Sequence, residues 1–419
     1  MFAGLMLGVA DVKAAKSTEN EANTYELLNL FGEVMERAKL SYVEEVTDKK
    51  LIESAINGML TSLDPHSSYL DADSFNYMSE QTKGKFGGLG IEVTMDNGLV
   101  KVVSPIDDTP AAKAGMKAGD YITHIDGETV VGMNLNEAVS KLRGKIGTKV
   151  KLSIRRINAK PIELTLKRQE IKIQSVKSEI KDDSVSYIRI SSFTEDIDKA
   201  IEEAVTKAQK QLKNKLSGIV IDVRNNPGGL LDQAVSVSDL FLEKGEIVST
   251  RSRHESDTDK FMATEGDIAK GLPIVVIINE GSASASEILA GALQDHHRAI
   301  ILGEKSFGKG SVQTVIPLRD FGAMRLTTAR YYTPSGRSIQ AKGIEPDIEV
   351  KPAKVEELES YALNLSEAEL NNALKNDNED SDNTEKKKQK SKEDLEDYQL
   401  VRALDLVKAL SLYAKSSEN

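Results

Sequence analysis

Three serines occur where a predicted strand gives way to a predicted helix, in the segment EGSASASEILAGALQD (280–295). The residues before it, PIVVIIN, form a continuous apolar run that predicts a buried strand. A serine at such a junction lies at a helix N-terminus, where free backbone N–H groups and the helix dipole favour a developing anion. This is the logic of a nucleophile elbow, although the G-x-S-x-G pattern is absent. The alternative is that Ser282, Ser284 and Ser286 are helix caps and small spacers, which a run of Ser and Ala, taken alone, more often is.

A serine nucleophile needs a general base, and a lysine between two glycines is the candidate for that role. The histidines lack a recognisable triad context; they are His66, His124, His254, His296 and His297. Lys309 lies in GEKSFGKG (303–310), which comes within one residue of the phosphate loop G-x-x-x-x-G-K-[ST]. Gly310 lacks the hydroxyl that would bind Mg²⁺, and a strand is predicted next, so nucleotide binding is rejected. A desolvated lysine can take a proton from serine because its pKa is lowered. A solvated lysine in a glycine turn is the alternative.

The composition narrows the classes of function. A chain of 419 residues has room for two or three domains. Its net charge of −11 argues against a nucleic-acid partner. It contains no cysteine, which excludes disulfides, thiolate metal sites and a cysteine nucleophile. The sequence also has no H-E-x-x-H or similar metal spacing, so neither a metal nor a cofactor is expected.

The N-terminus favours export. Residues 2–10 form an apolar run followed by Ala14 and Ala15, which resembles the later part of a secretory signal without its basic region. The run is too short to span a bilayer as a helix. We therefore expect residues 1–22 to be a signal or anchor remnant, or a disordered start, with the N-terminus as a possible membrane tether.

Changes in the pattern of apolar, charged and turn-forming residues divide the rest of the chain into four further segments. Residues 23–84 predict an N-terminal helical segment, and residues 85–168 predict short strands with one helix. Strands and helices alternate over residues 169–352, which indicates a layered α/β core. Residues 353–419 predict a charged linker followed by one amphipathic helix. That helix must pack against this chain or against a partner subunit.

Within the N-terminal segment, apolar periodicity predicts helices over 24–40 and 48–60. Asp48 is the expected N-cap of the second helix. Pro65, in LDPHSSYL, breaks the helical pattern that precedes it.

Taken together, these motifs resemble the carboxyl-terminal processing peptidases, also called tail-specific proteases. The resemblance runs from about Leu27 to Pro352 and is carried by LDPHSSY, GLGIEV, DVRNNPGG, GSASASEILAGALQD, GEKSFGKGSVQ and YYTPSGRSIQ. It implies a Ser/Lys endopeptidase with an inserted PDZ domain at 85–168 and a crotonase-like α/β core at 169–352.

The resemblance also implies roles for particular residues. The positions are Ser284 as nucleophile, Lys309 as general base, Gln313 as the residue that orients the lysine, Asp295 as an acidic neighbour, and the backbone N–H of Gly228 or Gly229 with that of Ala285 as the oxyanion hole. The oxyanion assignment agrees with the helix-start argument made from the residues themselves.

A PDZ domain binds a peptide C-terminus by adding it as a strand and holding its carboxylate in a backbone loop. The matching positions are Gly88, Leu89, Gly90 and Ile91. An ordinary hairpin turn is the alternative for these glycines. In some members of the family, the position of Arg143 links the PDZ domain to the active site.

The leading hypothesis is therefore a serine endopeptidase that cuts exported proteins near their C-termini, in a bacterial periplasm or at the outer face of the inner membrane. We expect apolar substrate tails and a homo-oligomer formed through the terminal helices. A peptide-binding adaptor with an inert core is a second hypothesis, and an α/β acyl-transfer or lyase enzyme is a third.

Overall fold

The computed structural model describes residues 10–353, except 107, 158, 255 and 257, together with residues 397–417. Two compact units are present. One comprises Met1–Phe75 and Gln313–Thr327, and the other comprises Asn76–Val312 and Thr328–Asn419. Part of the predicted charged linker lies outside the described residues.

The elements are numbered in chain order. The helices are α1 (Ala10–Ser41), α2 (Asp48–Thr61), α3 (Ala72–Lys83), α4 (Pro110–Lys113), α5 (Leu135–Leu142), α6 (Ile197–Leu212), α7 (Leu231–Asp239), α8 (Ala285–Asp295) and α9 (Tyr398–Ser417). The strands are β1 (Ser68–Leu70), β2 (Lys85–Gly88), β3 (Ile91–Asp96), β4 (Leu99–Pro105), β5 (Tyr121–Ile125), β6 (Glu128–Thr129), β7 (Lys149–Arg155), β8 (Ile162–Lys167), β9 (Gln169–Lys172), β10 (Val176–Lys181), β11 (Val185–Ile190), β12 (Gly218–Asp222), β13 (Gly245–Ser252), β14 (Asp259–Ala263), β15 (Ile274–Ile278), β16 (Ile300–Gly303), β17 (Ser311–Pro317), β18 (Ala323–Tyr332) and β19 (Ile348–Glu349).

The first unit contains α1, α2 and β1, and β1 pairs antiparallel with the start of β18. Helix α1 begins at Ala10 and not at residue 24 as predicted, because the intervening residues are rich in good helix formers and lack glycine and proline. The N-cap of α2 is Thr47, whose side chain accepts a hydrogen bond from Lys50 N at 3.2 Å. The prediction of Asp48 as the cap was one residue late, since Asp48 is the first helical residue.

In the second unit, the region predicted as an inserted domain forms a sheet of order β3-β4-β5-β7-β8, with β6 beside β5. Its core is apolar and includes Val100, Ile122 and Leu152, all fully buried. The chain enters through β2 and leaves through β9, and these two strands pair antiparallel with Gly87 opposite Glu170. The strand that enters the domain and the strand that leaves it therefore form one two-stranded antiparallel ribbon.

The α/β core is built on a sheet of order β10-β11-β12-β15-β16-β19, parallel from β11 onward. Every residue of β12 and β15 is buried, as expected for strands covered on both faces. Ile219 and Ile221 pack with residues of α6, α7 and α8, whereas Val220 packs with α9. One face of the C-terminal helix thus packs against the sheet of its own chain.

The helix α9 contributes Leu400, Ala403, Leu404 and Val407 to that contact, and all four are buried. Among the described residues, no helix is both long enough and apolar enough to cross a bilayer.

Candidate active site

Ser284 lies at the N-terminus of α8, in a strained backbone conformation with φ 55° and ψ −113°. Positive φ is uncommon for a residue with a side chain and costs free energy that the surrounding structure must supply. Gly228 packs directly against this turn, since a Cβ added to it would lie 2.8 Å from Ser284 Cβ and 2.9 Å from Ala283 O. The close approach of the two segments therefore requires glycine at 228.

The three serines of the segment differ in environment. Ser282 and Ser286 are fully buried. The Ser282 hydroxyl donates to Val223 O at 2.8 Å, and the Ser286 hydroxyl donates to Asn226 O at 3.0 Å. Ser284 is half-buried and is thus the accessible serine of the three. Its neighbours hold the loop 223–226 against the start of α8.

Glu287, one turn into α8, connects the serine segment to the lysine loop. Its side chain is fully buried. One carboxylate oxygen accepts from Ser306 Oγ at 2.5 Å and Gly308 N at 2.7 Å, and the other from Ser284 N at 2.8 Å and Lys309 N at 2.9 Å. Burial raises the pKa of Glu287 although these donors oppose the shift. Because four donors face the group, the geometry fits an ionised carboxylate that is kept buried at a cost in stability.

Sequence reasoning missed Glu287. The signal was present, because Ser284 and Glu287 form the S-x-x-E pattern of a capping box before an apolar run. The pattern predicts the bond from the serine N–H, but not the three donors that come from the loop 306–309.

Lys309 is half-buried in the loop between β16 and β17. Besides the bond to Glu287, the loop is held by Phe307 N, which donates to Ser282 O at 3.0 Å. Gly308 has φ 93°, and a Cβ at Gly310 would lie 2.5 Å from Gln340 N. The glycines on either side of Lys309 are therefore needed for close packing of the loop.

The predicted oxyanion-hole residues have different surroundings. The Gly228 N–H donates to Asn226 Oδ1 at 2.9 Å, so it is engaged within the loop. Gly229 has φ 148° and lies against Phe193 O. Ala285 is the first residue of α8, where an N–H has no acceptor inside the helix. Between the two glycines that the sequence left open, this geometry favours Gly229.

Gln313 belongs to the first unit, where its Nε2 atom donates to Thr327 Oγ1 at 3.4 Å. The Thr327 hydroxyl donates in turn to Asp64 Oδ1 at 3.0 Å. Asp64 is in the motif LDPHSSY, and it also accepts from His66 N and Ser67 N. The motif thus fixes the side chain that holds Gln313.

Asp295 is the last residue of α8, about 15 Å along the helix from its first residue. It accepts from Ser335 N at 2.9 Å and from Arg337 at 2.5 Å. Burial raises the pKa of Asp295, but hydrogen bonds from Thr333 and Ser335 and the Arg337 charge outweigh it and hold the pKa below its usual range. The structure therefore places Asp295 with the turn 333–337 and not among the groups around Ser284.

The predicted peptide-binding loop joins β2 to β3. Gly88 ends β2 and Ile91 begins β3. Leu89 is buried in the core of the inserted domain, and Ile91 is half-buried. Gly90 has φ 73°, and a Cβ there would lie 2.3 Å from the Thr109 side chain. The loop is thus a tightly packed part of the domain, whose outer strand β3 is an edge of its sheet.

Arg143 follows α5 and stacks on two aromatic rings. Its guanidinium lies 4.0 Å from the centre of the Phe86 ring and 5.5 Å from that of Tyr77. Phe86 is in β2 and Tyr77 is in α3, so Arg143 connects the inserted domain to the segment through which the chain enters it.

The fold and this site define a serine peptidase with a PDZ domain. Residues 184–350 match the model of Peptidase family S41, residues 101–156 match that of the PDZ domain, and residues 6–74 match the Activating protease CtpB N-terminal domain. The chain belongs to the carboxyl-terminal processing peptidase family.

Two curated relatives carry that assignment. The chain is 54% identical over 377 residues to a carboxy-terminal-processing protease of Bartonella bacilliformis, covering 89% of this chain and 87% of the relative. It is 37% identical over 345 residues to the carboxy-terminal processing protease CtpA of Bacillus subtilis, covering 82% and 72%. A solved photosystem II D1 C-terminal processing protease is 32% identical with a TM-score of 0.47, covering 76% of this chain and 86% of that one.

Proposed function

We propose that this protein is an endopeptidase in which Ser284 is the nucleophile and Lys309 the general base, and that it cleaves exported proteins near their C-termini. The observation that carries the proposal is the bonding of Glu287. Its carboxylate accepts hydrogen bonds from the backbone of both Ser284 and Lys309. Two segments distant in sequence are therefore held together at the residues that the chemistry needs.

In the proposed reaction, neutral Lys309 takes the proton of the Ser284 hydroxyl as Oγ attacks the scissile carbonyl carbon. The N–H groups of Gly229 and Ala285 donate to the carbonyl oxygen as it becomes negative. The protonated lysine then gives its proton to the leaving amine, and an acyl-enzyme remains. Lys309 next activates a water, which releases the new C-terminus and returns the proton to Ser284.

Gln313 supports this scheme as the residue that orients Lys309. The Thr327 hydroxyl has one proton, and it donates that proton to the Asp64 carboxylate. Its oxygen can then only accept from the Gln313 amide, which fixes Nε2 on that side. The Gln313 carbonyl oxygen consequently faces away from Thr327, as an acceptor for an ammonium group.

The PDZ domain would select substrates. An apolar tail would add to β3, with its carboxylate at the loop 88–91, while the upstream chain reaches Ser284.

We place the protein in the periplasm or at the outer face of the inner membrane, on the strength of the apolar N-terminal run. Self-association through the terminal helices and an N-terminal membrane tether are part of the same proposal. We also propose a crotonase-like fold for the α/β core, which is supported by the helices that cover both faces of the central sheet.

The test is incubation with an unfolded protein that carries an apolar tail. Ser284→Ala and Lys309→Ala should each abolish cleavage while the circular dichroism spectrum is unchanged, because a dyad acts as a unit. Ser282→Ala and Ser286→Ala are the matched controls. Ser286→Ala loses the bond to Asn226 O, and Ser282→Ala loses both the bond to Val223 O and the one accepted from Asn279 N. At about 1 kcal/mol of stability for each bond, both variants should fold and keep most of the activity.

Substantial cleavage by the Ser284→Ala or the Lys309→Ala variant would reject the dyad. Binding of tails by a wild type that cleaves nothing would instead favour the adaptor with an inert core.

A further inference from the structure

Tyr331 is a buried aromatic residue that lies next to the lysine loop. It is in β18 opposite Thr250 of β13, and its backbone N–H donates to Gly310 O at 3.0 Å. Only 2% of the residue is exposed, and its ring belongs to the main core. The strand thus fixes the tyrosine immediately beside the residue that follows Lys309.

The hydroxyl group of Tyr331 is placed unusually for a core tyrosine. Its oxygen is buried and makes no hydrogen bond of normal geometry among the described residues. Burial raises the pKa of Tyr331, the charge of Glu287 raises it further, and the Ser284 side chain opposes the shift. The hydroxyl therefore stays protonated, and the polar side chains that act on it are those of Ser284 and Glu287. The backbone agrees with this placement, because Tyr331 N donates to Gly310 O while the preceding residue, Lys309, and Ser284 both donate to Glu287.

Glu287 is not available as the partner of this hydroxyl. Its two carboxylate oxygens already accept four hydrogen bonds, from Ser306, Gly308, Ser284 and Lys309. A carboxylate has about four acceptor sites, so they are filled. Ser284 Oγ is then the neighbouring atom that can accept a hydrogen bond from the Tyr331 hydroxyl. A buried hydroxyl without a hydrogen-bond partner lowers the stability of the fold.

We propose that Tyr331 is a positioning residue for the nucleophile, whose hydroxyl donates a hydrogen bond to Ser284 Oγ as the serine proton passes to Lys309. The bond would hold the Ser284 side chain in the attacking orientation and stabilise its oxygen while it carries negative charge. It would act again when Oγ leaves the acyl carbon. This inference rests on the proposed Ser284 and Lys309 chemistry.

The test is the Tyr331→Phe variant, which removes one oxygen and keeps the ring. We expect kcat to fall about 10- to 100-fold, the loss for one hydrogen bond to a charged group, with KM changed by less than about twofold. The melting temperature should stay the same or rise, because an unpaired buried hydroxyl is removed. The matched control is Tyr332→Phe, whose ring stacks with Arg251 at 4.0 Å and which should keep full activity.

A second readout is the rate at which a fluorophosphonate labels Ser284, because it reports the nucleophile without a peptide substrate. This rate should fall in parallel with kcat in Tyr331→Phe only. Activity within about twofold of the wild type would overturn the inference, and so would a loss that follows a lowered melting temperature. A wild type that is labelled and cleaves, beside an unchanged Tyr331→Phe, rejects this inference alone; a wild type that is not labelled at Ser284 rejects the dyad as well.

Discussion

The backbone N–H groups of Ser284 and Lys309 donate to the same carboxylate oxygen of Glu287, at 2.8 and 2.9 Å. The separation of the two candidate catalytic residues is therefore set by one buried side chain and not by the two loops alone. Together with the backbone bond from Phe307 N to Ser282 O, these bonds hold the start of α8 against the glycine-flanked loop.

Glu287→Gln should disrupt both stability and activity. An amide offers one acceptor oxygen and turns two donor hydrogens toward N–H groups that need an acceptor. Each lost bond to the charged group is worth about 1.5–3 kcal/mol, so a lower melting temperature is expected. We expect kcat/KM to fall at least about 100-fold, because small displacements of positioned groups are costly in rate. Glu280→Gln, at an exposed position near Ser284, should change neither quantity.

Gly228→Ala should inactivate the enzyme by crowding the nucleophile. The added methyl group would lie 2.8 Å from Ser284 Cβ and 3.0 Å from Ala285 N, where it must displace the turn. Gly271→Ala is the control, since Gly271 has φ 77° but nothing within 4 Å of an added Cβ. The control should cost about 1–2 kcal/mol through backbone strain alone and leave kcat unchanged. Equal activity loss in both variants would contradict the crowding argument.

Arg143→Ala should uncouple the tail from cleavage. The contacts of the guanidinium with the Phe86 ring at 4.0 Å and the Tyr77 ring at 5.5 Å would be lost, whereas the backbone bond from Gly144 N to Gly87 O would remain. The measurement is the ratio of kcat/KM for one peptide with a free and with an amidated C-terminus. We expect the ratio to move toward one by about fivefold or more. Arg155→Ala, which loses a stack on Tyr121 in the same domain, should leave the ratio as it is.

Docking of α9 should depend on pH through Asp397. Burial raises the pKa of Asp397, but the hydrogen bonds and charge of Arg224 outweigh it and hold the pKa below the usual 3.8. A depressed pKa stabilises the fold above the unfolded-state value, and this contribution is lost as the pH falls through the folded-state value. Asp397→Asn should therefore lower the free energy of unfolding by about 1 kcal/mol at neutral pH, after screening by solvent.

Urea unfolding at several pH values measures that difference. The gap between wild type and Asp397→Asn should be constant above about pH 5 and should narrow below about pH 4. The exposed Asp405 on the same helix provides the control variant, Asp405→Asn, which should show no such gap. A gap that widens in acid would contradict the ion-pair account.

The sequence predicts the elements of the core well, because their patterns are local. The apolar run of β15 and the small-residue start of α8 appear where the sequence analysis placed them. The roles of Glu287 and Tyr331 were not predictable in this way, since each depends on a loop or strand far away in the chain. The same holds for Arg224, whose partner Asp397 is separated from it by the whole second half of the core.

The ribbon of β2 and β9 has a consequence for how such proteins can be rebuilt. Ile173 N donates to Gly84 O at 2.7 Å, so the insertion starts and ends at one point of the core. A direct junction between these two residues would close the chain without stretching it, and residues 85–172 form an excisable cassette. Another peptide-binding module with neighbouring termini could be grafted at the same point. Under the proposed division of roles, substrate choice and bond cleavage should then be separable by engineering.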